Sequence, residues 1–271
     1  MARRDGPIQR PLERGKTAIR GLRGAITFLT QLPVPRAGAD ASERDWNAFR
    51  TTPAAFPLVG WLVGGLTALV FVLGDGVPDA TVAFGYLLAV YLVTGINHLD
   101  GVADVGDALV VHGDSERRRR VLKDTTTGVG ALLAVGAVLI GVALAGFTLS
   151  GAPLLVAVAI VLAAEVGAKT GLALLACGGR AAHEGFGAQF TASLTPKKVV
   201  LPLAVGLPVI ALSWPTPVAA LTFVGALTGT ALTWWWARRR LGGVTGDVFG
   251  AANEVSRLLG LHLGVIAWTC W

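Results

Sequence analysis

Residues 128–147 read GVGALLAVGAVLIGVALAGF, a run of twenty positions without one polar side chain. A helix rises about 1.5 Å per residue, so about 20 such residues cross the ~30 Å hydrocarbon core of a bilayer. Comparable runs recur on either side, and they place spanning helices at 55–73, 80–97, 128–147, 154–176, 199–213, 218–236 and 252–271. Helices are required because an open strand in lipid leaves backbone N–H and C=O groups unpaired, and the alternation of a membrane barrel is absent. Of the 271 residues, 53% are hydrophobic and 15% charged, against roughly 25% charged in an ordinary soluble domain. That balance disfavours a soluble globular enzyme and excludes a disordered chain. The expected fold class is all-α, a polytopic integral membrane helical bundle with about seven transmembrane helices. It reads as one domain, with residues 1–50 as a basic arm and 51–271 as the bundle.

Charge gives the orientation. Ten of the 23 Lys and Arg precede the first span, five lie at 117–123, three at 180–198 and three at 238–240. The alternate connections Gly74–Asp79, Thr148–Pro153 and Trp214–Pro217 carry none. The positive-inside rule then puts the N-terminus and the basic loops on the cytoplasmic side of the cell membrane. The net charge of +6 is explained this way and calls for no nucleic acid. In the arm, Gly24–Leu32 is too short for a secretory signal core and no small-residue cleavage site follows. Ile19, Leu22, Ile26 and Leu29 fall on one helical face with Lys16, Arg20, Arg23 and Thr27 opposite, the pattern of an interfacial amphipathic helix. Such a helix either anchors the chain or lids the site. Cys177 and Cys270 belong at opposite membrane surfaces and are expected to be free.

The chemistry-bearing groups cluster. In Asn97-His98-Leu99-Asp100-Gly101-Val102-Ala103-Asp104-Val105-Gly106-Asp107 the aspartates stand at i, i+4 and i+7. If the second span continues as helix, Asp100, Asp104 and Asp107 share one face. Like charges stacked this way favour a cation between them, and oxygen ligands suit Mg²⁺ or Mn²⁺. Asp124 is a candidate fourth ligand. The bland alternative is a set of solvated loop acids. His98 is a candidate general base or ligand, or else a helix-end cap.

Arg117 to Arg120 and Lys123 suit a phosphate-bearing substrate as well as they suit orientation, with Arg120 and Lys123 the better phosphate candidates. A second polar cluster, Gly242-Gly243-Val244-Thr245-Gly246-Asp247 followed by Asn253-Glu254, offers Thr245, Asp247 and Glu254 to the same site. A third, His183-Glu184-Gly185, offers Glu184. Either is also ordinary turn chemistry. Glu165 and Lys169, at i and i+4 in the fourth span, read as a mutual ion pair facing the bundle interior or as a transport path.

Four segments carry a resemblance: Phe28-Leu29-Thr30-Gln31-Leu32-Pro33-Val34-Pro35, Phe56-Pro57-Leu58-Val59-Gly60, His98-Leu99-Asp100-Gly101-Val102-Ala103-Asp104 with Asp107, and Gly243-Val244-Thr245-Gly246-Asp247. Lys123-Asp124 with Gly128, and Glu184-Gly185, extend it. Together they resemble the cobalamin synthase family over nearly the whole chain. The resemblance implies that a ribose hydroxyl of α-ribazole, or of its 5′-phosphate, attacks adenosylcobinamide-GDP at the cobinamide-side phosphorus and releases GMP, with Mg²⁺ required. It implies Asp100, Asp104 and Asp107 on the metal, and one of them or His98 as the proton acceptor. The chain departs from the family in its longer, more basic arm and in Asn97. The rivals are a CDP-alcohol phosphotransferase, which expects Arg where Asp104 stands, and a secondary transporter. Oligomeric state is left open.

Overall fold

The computed structural model describes residues 9–35, 38, 40–124 and 126–271; residues 1–8 of the basic arm and Thr125 lie outside the described residues. Twelve helices follow in order: α1 (Gln9–Leu29), α2 (Ala41–Phe49), α3 (Ala55–Leu73), α4 (Asp79–Thr94), α5 (Asn97–Val110), α6 (Ser115–Val121), α7 (Val129–Ser150), α8 (Leu154–Gly178), α9 (Phe186–Thr191), α10 (Val200–Gly206), α11 (Val218–Arg240) and α12 (Gly246–Cys270). Among the described residues there is no strand, only an isolated bridge between Ala181 and Val244. The protein is a helical, multi-pass membrane bundle.

Among the described residues, five segments are long and apolar enough to cross alone: α3, α7, α8, residues 196–213 and α11. The spans expected at 80–97 and 252–271 differ from expectation, and the one at 199–213 is present but is not a continuous α-helix. The span placed at 80–97 breaks after Thr94, and α5 leaves α4 at 98°; the two pass as a span only when taken together. Gly95 makes the break with φ of 71°, a backbone conformation that suits glycine. Gln31 packs where a Cβ would stand, and its N–H donates to Val93 O at 2.8 Å. The aspartates therefore do not sit on a continuation of span two. They sit on a separate helix that turns away from the span direction, and we read α5 as lying outside the membrane-crossing segments.

The span placed at 199–213 is a short α10 between 3-10 turns at Pro196–Val199 and Leu207–Ser213. Pro208 has no N–H to donate and its ring crowds the preceding turn, which ends the α-helix at Gly206. The seventh, 252–271, corresponds to α12, which starts earlier and ends at Cys270; its 25 residues are long enough but carry Asp247, Glu254 and Arg257. It falls outside the apolar set because its composition is too polar, and most of those polar side chains are buried against other helices.

The arm also differs. α1 packs on α2, a helix the sequence reading did not separate from the arm, and Arg23 Nε donates to Asp45 Oδ2 at 3.1 Å. Ile19 is exposed, whereas Gly24, Ala25 and Leu29 are buried. Leu22 and Ile26 pack against the core with Leu29 as expected, and the packed face widens to Gly24 and Ala25 because small residues let α2 approach: a Cβ on Gly24 would meet Asp45 C at 2.8 Å.

At the centre runs α8, buried continuously from Ala163 to Ala173. With lipid as apolar as leucine, helices associate by close backbone approach through small residues. A Cβ on Gly60 of α3 would lie 2.8 Å from Glu165 O, and one on Gly229 of α11 would lie 2.6 Å from Ser256 Cα of α12. The pair expected from Glu165 and Lys169 is present, with Nζ donating to Oε2 at 3.1 Å and both side chains fully buried. It is half of a larger set. Arg257 of α12 binds Glu165 and also Glu254, and Tyr91 Oη donates to Glu254 Oε2 at 3.1 Å. Two acids and two bases close a neutral network among α4, α8 and α12.

Both features are testable by thermal unfolding in detergent. Gly60→Ala is expected to cost ~1–3 kcal/mol by overpacking and to lower the midpoint. Gly136→Ala, where nothing lies within 4 Å, is expected to leave the midpoint unchanged; equal midpoints for the two variants would refute the contact. Arg257→Met leaves two buried carboxylates on one ammonium and is expected to cost about 3–5 kcal/mol. Near-wild-type stability would show that the ions are solvated.

Candidate active site

The bend at Gly95 swings α5 across the first turns of α12, and the two helices meet backbone to backbone. A Cβ on Gly101 would stand 2.6 Å from Asp247 O, and one on Gly250 would stand 3.1 Å from His98 O. This crossing brings Asp247 to the acid face of α5, which joins two clusters that lie far apart in sequence. Thr245 starts α12 as its cap, with its hydroxyl accepting from Val248 N at 3.3 Å and donating to Asp247 Oδ2 at 3.2 Å. The glycines of the segment serve packing rather than an anion: a Cβ on Gly243 would collide with Arg180 O, and one on Gly246 would lie 3.2 Å from Phe186 Cβ.

Asp100 is exposed and Asp104 half-buried. Burial, then the charges of Asp247, Asp100 and Asp107, push the Asp104 carboxyl up to about 7. It therefore shares a proton with solvent near neutrality, whereas an isolated aspartate is ionised. Asp107 has a different place. Its Oδ2 accepts from Gly128 N at 2.7 Å and its Oδ1 from Ala131 N at 2.9 Å, so it caps α7. Asp124 is exposed, and hydrogen bonds from the Thr126 N–H and hydroxyl hold its carboxyl below the usual range. It is not among the charges acting on Asp104.

Among the described residues no three His, Cys, Asp or Glu side chains form a ready-made metal cage. The donor chemistry nevertheless suits a hard cation, because crowded carboxylates with a raised proton affinity are what such a charge relieves.

His98 is buried at the start of α5 beside Asn253 and Glu254. Glu254 accepts from one hydrogen of the Asn253 amide at 3.0 Å, which turns the other to His98 Nδ1 at 3.2 Å. Neutral His98 then carries its proton on Nε2, a donor rather than a base. The cost is visible in Asn253 Oδ1, buried without a partner. In the sequence Asn253 is only a neighbour of Glu254, since nothing linear ties it to position 98.

The remaining candidates scatter. Arg120 is exposed and paired with Glu116 at 2.9 Å; Lys123 and Glu184 are exposed. Glu254 does not join the aspartates; it is fully buried in the ion network. Arg118 donates to Ala108 O at 2.6 Å and Arg119 to Leu241 O at 2.8 Å, so these two cap α5 and α11. The last contact, with Ala182 N donating to Val244 O at 3.0 Å, ties the basic loops together at the end of the bundle that holds the acids. Asp75 and Asp79 of one connection without Lys or Arg share a pocket with Ser150 and Ala152 of another. The free thiols agree with expectation: Cys177 is buried and Cys270 exposed.

The profile of a family described as cobalamin-5-phosphate synthase matches residues 21–265. A Halorubrum lacusprofundi protein described as adenosylcobinamide-GDP ribazoletransferase is 48% identical over 258 residues, covering 92% of this chain and 97% of that relative. Counterparts with the same description from Halobacterium salinarum and Haloquadratum walsbyi are 54% and 42% identical, covering 73% and 92% of this chain and 99% and 98% of theirs. No solved structure matches. Matched over nearly its whole length, the chain belongs to the cobalamin-5-phosphate synthase family.

Proposed function

We propose that the acid face of α5, completed by Asp247 of α12, is the active site of an adenosylcobinamide-GDP ribazoletransferase that performs the final assembly step of cobalamin. A ribose hydroxyl of α-ribazole, or of its 5′-phosphate, attacks the cobinamide-side phosphorus. A P–O bond forms, the bond to the GMP phosphate breaks, and GMP leaves. The observation that carries the reading is the half-buried Asp104 among the charges of Asp100, Asp107 and Asp247. Displacement at a diphosphate needs charge neutralisation and alignment more than covalent help.

Asp104 takes the proton of the attacking hydroxyl, since a base works best with a pKa near the working pH. His98, with its proton on Nε2, donates a hydrogen bond to substrate. Asp100 and Asp247 would hold a Mg²⁺, with Mn²⁺ as a substitute. When bound, that ion neutralises the diphosphate. Asp107 works by holding the start of α7 and is a positioning residue. The positive-inside distribution argues that this end faces the cytoplasm, in the cell membrane. The transporter reading loses its basis because Glu165 and Lys169 are closed off in a paired network.

The test is GMP release from adenosylcobinamide-GDP and α-ribazole by protein in lipid nanodiscs with Mg²⁺. Asp104→Asn is expected to lose roughly 10²–10⁴-fold in kcat while Mg²⁺ still binds. Asp100→Asn is expected to raise the Mg²⁺ requirement instead. Full activity in both would end the assignment.

A linked proton gives a second readout. The folded Asp104 carboxyl binds its proton more tightly than an isolated one, and a nearby cation expels it. Mg²⁺ affinity is therefore expected to fall as pH drops through about 7, and to lose that dependence in Asp104→Asn. A titration equally steep in the variant would place the proton elsewhere.

A further inference from the structure

Beside the carboxylates lies a cavity of about 70 Å³ walled by Phe28, Phe186, Phe190 and Phe249, with Asn97 and His98 as its polar side. It adjoins the proposed site by construction. Asn97 precedes Asp100 by three residues, about one turn of α5, and Gly246 in the wall is the neighbour of Asp247. Its rings come from distant parts of the chain: Phe28 from α1, Phe186 and Phe190 from α9, Phe249 from α12. Most pack tilted or edge-on, as Phe186 does on Phe190 at 62°. Phe28 and Phe186 are the exception, with centroids 4.7 Å apart and planes within 19°. That is the geometry in which a flat ring sits on a phenyl face.

We propose that this cavity is the subsite for the planar aromatic base of the acceptor nucleoside, with Phe28 standing in the base's stacking position when no nucleoside is bound. The proposal rests on the ribazoletransferase reading. The cavity is smaller than a nucleoside base, and moving one ring enlarges it. Phe28 sits in the last turn of α1, whose hairpin with α2 covers this end of the cavity. The polar wall suits a heteroaromatic ring better than a purely apolar one. His98 offers a donor from Nε2 and the Asn97 amide offers both a donor and an acceptor. With the base held there, the ribose extends toward Asp104, one to two turns along α5. The arm thus serves the acceptor side of the site, where the sequence left it as an anchor or a lid.

Steady-state GMP release in nanodiscs, with α-ribazole varied at saturating adenosylcobinamide-GDP, tests this. Phe186→Leu removes a stacking face and is expected to raise KM for α-ribazole roughly ten- to hundredfold, with kcat and KM for the corrinoid substrate changed far less. Phe186→Tyr keeps the face and is expected to restore KM. Phe28→Ala is expected to lower KM for α-ribazole; a rise would make Phe28 a wall rather than a placeholder. Phe147→Leu, on lipid-facing α7, serves as the control. An unchanged KM in Phe186→Leu, with GMP still released, would overturn the subsite. If wild-type protein releases no GMP, the activity reading fails on its own. The cavity is then tested by equilibrium binding of benzimidazole, expected in wild type and lost in Phe186→Leu; no binding in wild type overturns the proposal. The same binding assay serves should Phe186→Leu fail to fold, with Phe186→Tyr as the folded variant expected to retain it.

Discussion

Four ions buried together, Glu165 and Lys169 on α8 and Glu254 and Arg257 on α12, set the positions of nearly everything else in this bundle. A charge in the hydrocarbon region is tolerated when it is paired inside the protein, and each of these has an opposite partner. The pairing fixes the rotation of α12 about its own axis. Tyr91 joins Glu254 and ties in α4, while the amide of Asn253 bridges Glu254 to His98 at the start of α5. The buried network and the proposed active site are therefore one continuous polar structure. The first is closed and neutral, and the second is open and carries an excess of negative charge.

Around that network, glycine governs distance. Backbone contact at Gly60, Gly229 and Gly101 lets helices approach far closer than leucine would permit. In water the hydrophobic effect would reward larger side chains at such positions; in lipid it does not, and dispersion between closely fitted surfaces takes over. Gly101 shows the functional result. Its missing side chain allows Asp247 to reach the aspartates of α5, so a packing requirement doubles as the device that assembles the acid cluster.

The division of labour among the acids follows from their partners. Asp107 and Asp124 have hydrogen-bond donors, in one case the amides of a helix start and in the other a threonine turn. Asp104 is half-buried among like charges, and burial first and those charges second raise its proton affinity. Three aspartates at i, i+4 and i+7 are equivalent on a helical wheel. They become different only when neighbouring elements claim one of them.

Much was legible in the sequence because it depended on local chemistry. Uninterrupted apolar runs gave α3, α7, α8 and α11 close to their observed limits, since any twenty such residues must be helical in a bilayer. The Glu165–Lys169 pair followed from i, i+4 spacing, and the family followed from segments spread over the chain. Tertiary structure alone decided the rest. The break at Gly95 depends on Gln31 packing beside it; the partner of His98 lies 155 residues away. Arg257 binds across helices, and Glu254 belongs to the ions rather than to the aspartates. Periodicity reports which way a side chain faces on its own helix. Which helix stands opposite, and how close, is set by the packing of glycines and the neutralisation of buried charge, and neither leaves a trace in linear spacing.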